Sequence, residues 1–221
     1  EPNSNVRIGL TVAGSVTGGV AHLSDSTSGN NDPFDLLDVR SGTPGMAKTV
    51  QIGTTNGLND TPHSVDLRGV ASPDITFDIF SGDLQVQANA GGDIQGSVIV
   101  REGNFLQVLN NAAEEILNLS GNGVVILGTG AMTISNTLSP GLSAGTLTVT
   151  GGISFVNTSI LAFELDGTST NVGAGVNDLL TLVGGNADLV LDGTLDVSEL
   201  AGFTGQGWTN GDYWTLITYE G

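Results

Sequence analysis

The sequence predicts an all-β protein, and three features of its 221 residues lead to that prediction. Short segments of alternating apolar and polar residues recur along the chain, including RIGLTV, ITFDIF, TLTVT and ILAFEL, and Gly- or Asn-rich breaks separate them. Only 13% of the residues are charged while 34 are glycines, a composition typical of a turn-rich β protein. The best helical candidate, residues 110–118, is too short to be stable alone.

A five-residue pattern, Gly-x-Leu-x-Val, begins at Gly82, Gly145 and Gly193. In a strand the Leu and Val of each copy point to the same side, and the residues between them point to the other. The uneven intervals between the copies predict a solenoid whose rungs have loops of variable length. We therefore expect one set of side chains to be buried, namely Leu84, Val86, Leu147, Val149, Leu195 and Val197. We expect a second set to face outward, namely Gln85, Thr148 and Asp196.

A β-sandwich is the alternative fold, because it also has many short strands joined by turns. Asn-Gly and Asp-Gly pairs, which favour hairpins, occur in the chain, but few of them lie between strands of matched length. Aromatic residues make up only 5% of the chain, whereas sandwich cores commonly contain several large rings. These observations favour the solenoid.

The formal net charge is −18, and all five basic residues precede Glu102. A nucleic-acid partner or an anionic membrane surface would require clustered Lys and Arg, so both are excluded as expected partners. No run of about 18 apolar residues occurs, so no transmembrane segment is predicted. The chain has no Cys and therefore no disulfide framework.

One loop has the composition of a calcium site. Residues 24–35 concentrate carboxylate and amide side chains around a Gly, and hard oxygen ligands on a flexible loop suit Ca²⁺. The EF-hand order and the Gly-Gly-x-Gly-x-Asp repeat are both absent, and an ordinary solvated loop is the alternative. No other cofactor is predicted. The candidate metal ligands are Asp25, Asn30, Asp32 and Asp35.

No catalytic residue is predicted. Four close acid pairs occur, and we interpret them as solvated acids that face outward and alternate with buried Leu. Polysaccharide lyases usually need a basic residue in the active site, and the second half of the chain has none. His22 and His63 are the only histidines, and neither has the context of a triad or a metal motif. The acid pairs are Asp35 with Asp38, Glu114 with Glu115, Glu164 with Asp166, and Asp192 with Asp196.

Two groups of residues favour a structural role. Both Trp and both Tyr lie in the last fourteen residues, where we expect them to close the open end of a solenoid rather than to form a sugar platform. Asparagines near turns, among them Asn104, Asn118 and Asn136, are expected to form ladders or to satisfy turn backbone.

The C-terminal half carries a recognisable order of segments: LSPGLSAGTLTVTGG, ISFVNTSILAFELDG, NDLLTLVGGNADLVLDGTLDVSEL and YWTLITYEG. Over residues 119–221 this order resembles the C-terminal part of bacterial autotransporter passengers and is similar to secreted proteins with autotransporter-like repeats. The resemblance implies a right-handed parallel β-helix that is exported to the bacterial cell surface or secreted. We predict a single solenoid domain over residues 1–221, with irregular N-terminal rungs over residues 1–80.

The expected function is that of an extracellular structural β-helix, a stalk, matrix or filament subunit without catalysis. The alternatives are an adhesive or carbohydrate-binding surface module and, third, a carbohydrate-active enzyme. Expected partners are surface glycans, other matrix proteins and further copies of the chain. Because residues 102–221 carry twelve acids and no base, head-to-tail contacts are favoured over tail-to-tail contacts.

Overall fold

The computed structural model describes residues 7–12, 19–23, 34–41, 45–53, 63–109, 113–166, 171, 173, 176–200 and 213–220. These residues form strands joined by turns, with one short 3-10 turn at Ala88–Ala90 and no α-helix in the described part. The strands are Arg7–Val12 (β1), Gly19–Leu23 (β2), Phe34–Ser41 (β3), Lys48–Ile52 (β4), His63–Ala71 (β5), Ile75–Ile79 (β6), Gly82–Val86 (β7), Asp93–Ile94 (β8), Ser97–Val100 (β9), Phe105–Val108 (β10), Glu114–Gly121 (β11), Val124–Pro140 (β12), Thr146–Phe155 (β13), Ile160–Leu165 (β14), Leu179–Val183 (β15), Leu189–Val190 (β16), Thr194–Glu199 (β17) and Ile217–Tyr219 (β18).

The strands pair in parallel along three ladders, which we call A, B and C. Ladder A joins β1, β3, β5, β7, β10, β12, β13, β15 and β18 in that order. Ladder C joins β2, β4, β6, β9, β11, β12, β14 and β17. The long strands bend and contribute to more than one ladder, so that β12 takes part in all three.

Ladder B lies between the other two along the chain. It contains the second halves of β1, β3 and β5, then β8, the start of β11, the middle of β12, the end of β13, and β16. The chain therefore passes through A, B and C in turn before it returns to A one strand further on, and we call one such passage a rung.

This pairing confirms the all-β class and fits a solenoid. The named strands pair in parallel, and the only antiparallel contacts among the described residues are two isolated bridges. A β-sandwich is built of antiparallel sheets, so the alternative fold does not agree with this pairing. A parallel pair cannot be closed by a tight hairpin, and the described Asn122-Gly123 pair accordingly joins β11 to β12, which pair in parallel.

The core consists of aliphatic side chains stacked between neighbouring rungs. On ladder A one buried column runs through strand positions that are direct register partners: Val65, Leu84, Leu106, Val125, Val149 and Leu182. Each member covers the one below it, so a rung buries its apolar face only when the next rung is present. Val, Ile and Leu suit this arrangement because they fill a pleated surface well.

The predicted register is confirmed for two of the three Gly-x-Leu-x-Val copies. Leu84, Val86, Leu147 and Val149 are fully buried, and their neighbours Gln85 and Thr148 face outward. For the third copy, Asp196 faces outward as predicted, but the expected burial of Leu195 and Val197 is wrong.

Leu195 is 56% exposed and Val197 is half-buried. Their strand β17 pairs with β14 on one side, and no described strand pairs with its other edge. The residues have the register of core positions, since Leu195 stands over Leu161, but no described rung covers them.

Asparagine side chains form hydrogen bonds between neighbouring rungs. The amide oxygen of Asn104 accepts a hydrogen bond from Gly82 N at 2.7 Å, and its amide nitrogen donates to the carbonyl oxygens of Phe80 and Glu102 at 3.0 Å each. The predicted role of Asn104 in satisfying turn backbone is confirmed. Asn136 donates to Asn118 at 2.7 Å, and Asn118 donates to Ser97 at 2.7 Å, which forms a ladder over three rungs.

The glycine of the repeated pattern has a conformational role at two of its three positions. Gly82 has φ 108° and Gly193 has φ 91°, a region that other residues adopt only with strain. A Cβ on Gly193 would also collide with the carbonyl oxygen of Ser159 in the rung below.

The described residues include no helix of the length and hydrophobicity that crossing a bilayer requires.

Candidate functional site

The outer face of ladder A changes in character along the stack. Strand β5 presents Asp66 and Arg68, and β7 presents Asp83. The outward positions of β10, β12, β13 and β15 on this ladder carry no charged side chain. Those outward residues are Phe105, Gln107, Val124, Ile126, Thr146, Thr148, Thr150, Thr181 and Val183.

The uncharged region extends around the molecule. Residues 116–163 contain no Asp, Glu, Lys, Arg or His, although the chain has a net charge of −18. They make up most of two successive rungs, including all of β12 and β13. Their outer side chains are mainly hydroxyls and amides that bond to one another, as in the 3.0 Å contact between Thr133 and Ser154. The result is a neutral belt on an acidic protein.

An exposed aromatic ring lies at the edge of this belt. Phe105 is 38% exposed, and its strand neighbours in register are Asp83 on one side and Val124 on the other. Gln85 and Gln107 are also register partners, two residues further along their strands. Both amides donate to the Oδ2 atom of Asp83, at 2.7 Å from Gln85 and 3.2 Å from Gln107.

We call this patch the Phe105 platform. Its members are Asp83, Gln85, Phe105, Gln107, Val124 and Ile126. Neighbouring strands are about 4.8 Å apart and alternate residues of one strand about 7 Å apart, so the platform is a grid of two columns and three strands. Because the two amides share one carboxylate oxygen, their orientations are fixed.

A separate polar network lies beside the platform on β5. Arg68 donates to the Oδ2 atom of Asp66 at 2.8 Å, and Gln87 donates to the same oxygen at 3.1 Å. The Oδ1 atom of Asp66 is buried and has no hydrogen-bond partner in the described part of the chain. This network ties two rungs together, and one of its carboxylate oxygens lacks a partner.

Ladder C has a stronger ion pair at its corner. Arg101 binds both carboxylate oxygens of Asp78, at 2.8 and 2.9 Å, and its guanidinium lies 3.6 Å from the centre of the Phe80 ring. A bidentate pair stacked on a ring fixes the Arg side chain in one geometry. Its groups are fully engaged with one another, so the arrangement is that of a structural clamp.

Glu114 is a buried carboxyl that replaces a missing backbone contact. Strand β8 has no ladder pairing with β11 among the described strands, and Glu114 Oε1 accepts the hydrogen bond of Ile94 N at 2.6 Å instead. Burial raises the pKa of Glu114 from 4.5 to about 7; the bond from Ile94 lowers it in part, and the nearby Asp93 charge raises it. Glu114 thus bridges two rungs on ladder B.

Asp178 is a second buried carboxyl. Its Oδ1 atom accepts from Gly145 N at 3.1 Å, and its Oδ2 atom accepts from Glu164 N at 2.7 Å. Burial raises its pKa from 3.8 to about 6, against the effect of these two bonds, and the Glu164 charge adds to the rise. The preceding Asn177 accepts from Asp166 N at 2.7 Å. Together the two residues fasten the loop before β15 to the rung below.

The predicted calcium ligands remain a prediction. Asp25, Asn30 and Asp32 lie outside the described residues. Asp35 belongs to β3, where its backbone pairs with Asp66, and its side chain is outside the described part. Among the residues that the structure describes, no group of three or more His, Asp or Glu side chains is placed to hold a metal ion.

Strand alternation separates one of the predicted acid pairs, and the structure places the acids of two others in different surroundings. Glu114 is buried and its neighbour Glu115 is exposed, so the two point to opposite sides. Asp192 and Asp196 are both exposed. Glu164 lies beside Asp178 rather than in an open groove. Asp192 lines the open groove at the last described rung, and Asp196 is not among the residues that line it.

The last described rung carries an open groove of about 400 Å³, lined in part by Leu161, Leu191, Leu195 and Leu216. The C-terminal aromatics lie near this end. Tyr219 continues the buried column above Leu182 but is itself 48% exposed. Phe203 and Trp208 lie outside the described residues. The described aromatics thus cover the end only in part.

Strand alternation in the sequence is sufficient to place the carboxyl groups of Glu114 and Asp178 on the inner side of the sheet. Asp178 has the same parity as the buried Leu180 and Leu182, and Glu114 has the same parity as Ile116. In an alternating strand this parity places both acids on the inner side. The Phe105 platform gave no such signal, because its six members come from three segments that only the rung register brings together.

Comparisons with known proteins give one match. An 85-residue segment is 41% identical to a protein of Brucella suis named adhesin BmaC autotransporter, and it covers 38% of this chain and 2% of that relative. No known protein family and no solved structure matches the chain. The resemblance to autotransporter passengers is therefore confirmed over a segment.

Proposed function

We propose that the chain is part of a bacterial surface or secreted protein and serves as an adhesive β-helix module. Two observations support the proposal: the match to a relative named an adhesin, and a stack of parallel rungs whose outer faces are exposed along its length. In this proposal the chain is a right-handed parallel β-helix, and its outer faces rather than a cleft make contact with partners. The neutral belt is the region of the surface where an anionic cell surface is repelled least.

Adhesion is tested with beads coated with the purified chain. The coated beads are incubated with fixed mammalian cells, bacterial cells and abiotic polymer surfaces under flow, and albumin-coated beads serve as the control. We expect retention of the coated beads on at least one surface. Retention equal to that of albumin on every surface would contradict the adhesive role.

We further propose that the module performs no catalysis. The buried carboxyls Glu114 and Asp178 are engaged with backbone N–H groups of neighbouring rungs, which is a structural use. The purified chain is expected to release no reducing ends or unsaturated products from pectin, alginate or xylan. Cleavage that is abolished by Asp192→Asn or Glu164→Gln would establish an enzyme instead.

Self-association end to end is a second proposal, and the exposed Leu195 supports it. Leu195 has the register of a core residue, and its strand edge can pair with a parallel strand of a second copy. We expect light scattering to show concentration-dependent assembly that Leu195→Asp abolishes and that Leu142→Asp, at another exposed apolar position, does not. A monomer at every salt and Ca²⁺ concentration would rule out the filament.

A further inference from the structure

We propose that the Phe105 platform binds an uncharged glycan by stacking one pyranose ring on Phe105. The inference rests on the proposed adhesive function and names a ligand class and a site for it. The platform lies in the middle of the stack, where the rungs on both sides are described, so its exposure belongs to the outer face of the solenoid.

The ring supplies an apolar contact surface. Phe105 is 38% exposed on the outer side of the sheet, and Val124 and Ile126 extend the apolar surface on the next strand. The C–H groups on one side of a pyranose pack against such a surface, and the electron-rich ring face favours their slight positive charge.

Hydrogen-bond acceptors surround the ring. Gln85 and Gln107 bind Asp83 through their amide nitrogens, and within the described part of the chain their amide oxygens accept no hydrogen bond. Sugar hydroxyls are donors, so a sugar stacked on Phe105 would place donors against fixed acceptors. Fixed acceptors lower the ordering cost of binding.

The charges select against acidic sugars. No member of the platform is cationic, Asp83 is an acid, and the chain carries a net charge of −18. A uronic acid or a sialic acid would bring a carboxylate next to Asp83, which is unfavourable at a spacing of a few ångströms. Neutral hexoses and N-acetylhexosamines carry no such penalty. The geometry therefore points to a neutral glycan with adjacent hydroxyls.

The test measures binding of the full chain to an array that contains neutral hexose and N-acetylhexosamine oligosaccharides beside sialylated and uronic-acid glycans, with calorimetry on the best ligand. We expect binding to neutral glycans only. Phe105→Ala should weaken it about tenfold or more, as for other central aromatic contacts, and Phe105→Tyr should retain it. Gln107→Ala should weaken it by a smaller factor. Leu142→Ala is the matched control, because Leu142 is 49% exposed but lies outside the platform.

Several results would overturn the proposal. They are binding to acidic glycans alone, neutral-glycan binding that Phe105→Ala leaves unchanged, and no glycan binding at all. The bead assay separates this failure from that of the proposed function. If beads coated with the Phe105→Ala variant adhere as well as beads coated with the unmodified chain, and no glycan binds, the adhesive function is retained and the platform is not its site. If Phe105→Ala reduces adhesion but only a protein partner is captured, the ligand class is wrong.

Discussion

Replacing Leu147 with Asp is expected to lower the free energy of unfolding by about 3 kcal/mol or more, because it buries an unpaired carboxylate in the core. Leu147 is fully buried, and its register partner Leu180 in the next rung is fully buried as well. The loss is measured by urea denaturation followed by circular dichroism. A protein that fails to fold at all would meet the same expectation.

The control is Thr148→Asp, which adds the same charge one residue away on the outer face. Thr148 is half-buried on the outside of β13, so this change should cost less than about 1 kcal/mol. If the two substitutions destabilised the protein equally, the assignment of inner and outer sides on ladder A would be wrong.

The stability of the protein is expected to fall as the pH rises from about 4.5 to about 7. Glu114 has a folded pKa of about 7 against 4.5 as its ordinary value, so the folded state keeps a proton that the unfolded state has already lost. Each pKa unit corresponds to about 1.4 kcal/mol, so Glu114 alone accounts for about 3 kcal/mol across this range. Asp178, with a folded pKa of about 6, changes stability in the same direction between about 4 and 6. Urea unfolding at a series of pH values measures the trend.

Glu114→Gln isolates the contribution of the buried carboxyl. The Gln side chain can still accept the hydrogen bond of Ile94 N but does not ionise, so the variant should be more stable than the unmodified chain at pH 8 and similar to it at pH 4.5. Glu115→Gln removes one charge from the exposed neighbour and controls for the repulsion among the 23 acids. Equal gains from both variants at pH 8 would show that net charge, not burial, sets the pH dependence.

Alternation within a strand was sufficient to predict the inner and outer sides of single strands. It placed Leu84 and Leu147 correctly, and the same parity applied to Glu114 and Asp178 would have placed them inside. It failed at Leu195 because burial in a stack of parallel rungs depends on the next rung, which strand parity does not encode. The local pattern thus determines the direction of a side chain but not whether anything covers it.

Contacts between rungs could not be predicted from the sequence. Arg101 and Asp78 are 23 residues apart, and Gln107 and Asp83 are 24 apart, because those distances are set by the lengths of particular rungs. Rung lengths vary with the loops, and without the pairing register no fixed period identifies the partners. For this reason the Phe105 platform and the Arg101 clamp became visible only in the structure.

The ladder geometry also determines how the molecule would respond to tension. Backbone hydrogen bonds run along the stack from strand to strand, so a pull on the two ends of the chain separates the terminal rung first and loads the others only afterwards. Thr150 and Val183 stand in neighbouring rungs about 4.8 Å apart, yet the chain between them extends to roughly 100 Å. In the proposed adhesive role, such a stack would lengthen by many times its resting height, one rung at a time, and so would protect a bond at its surface from sudden shear.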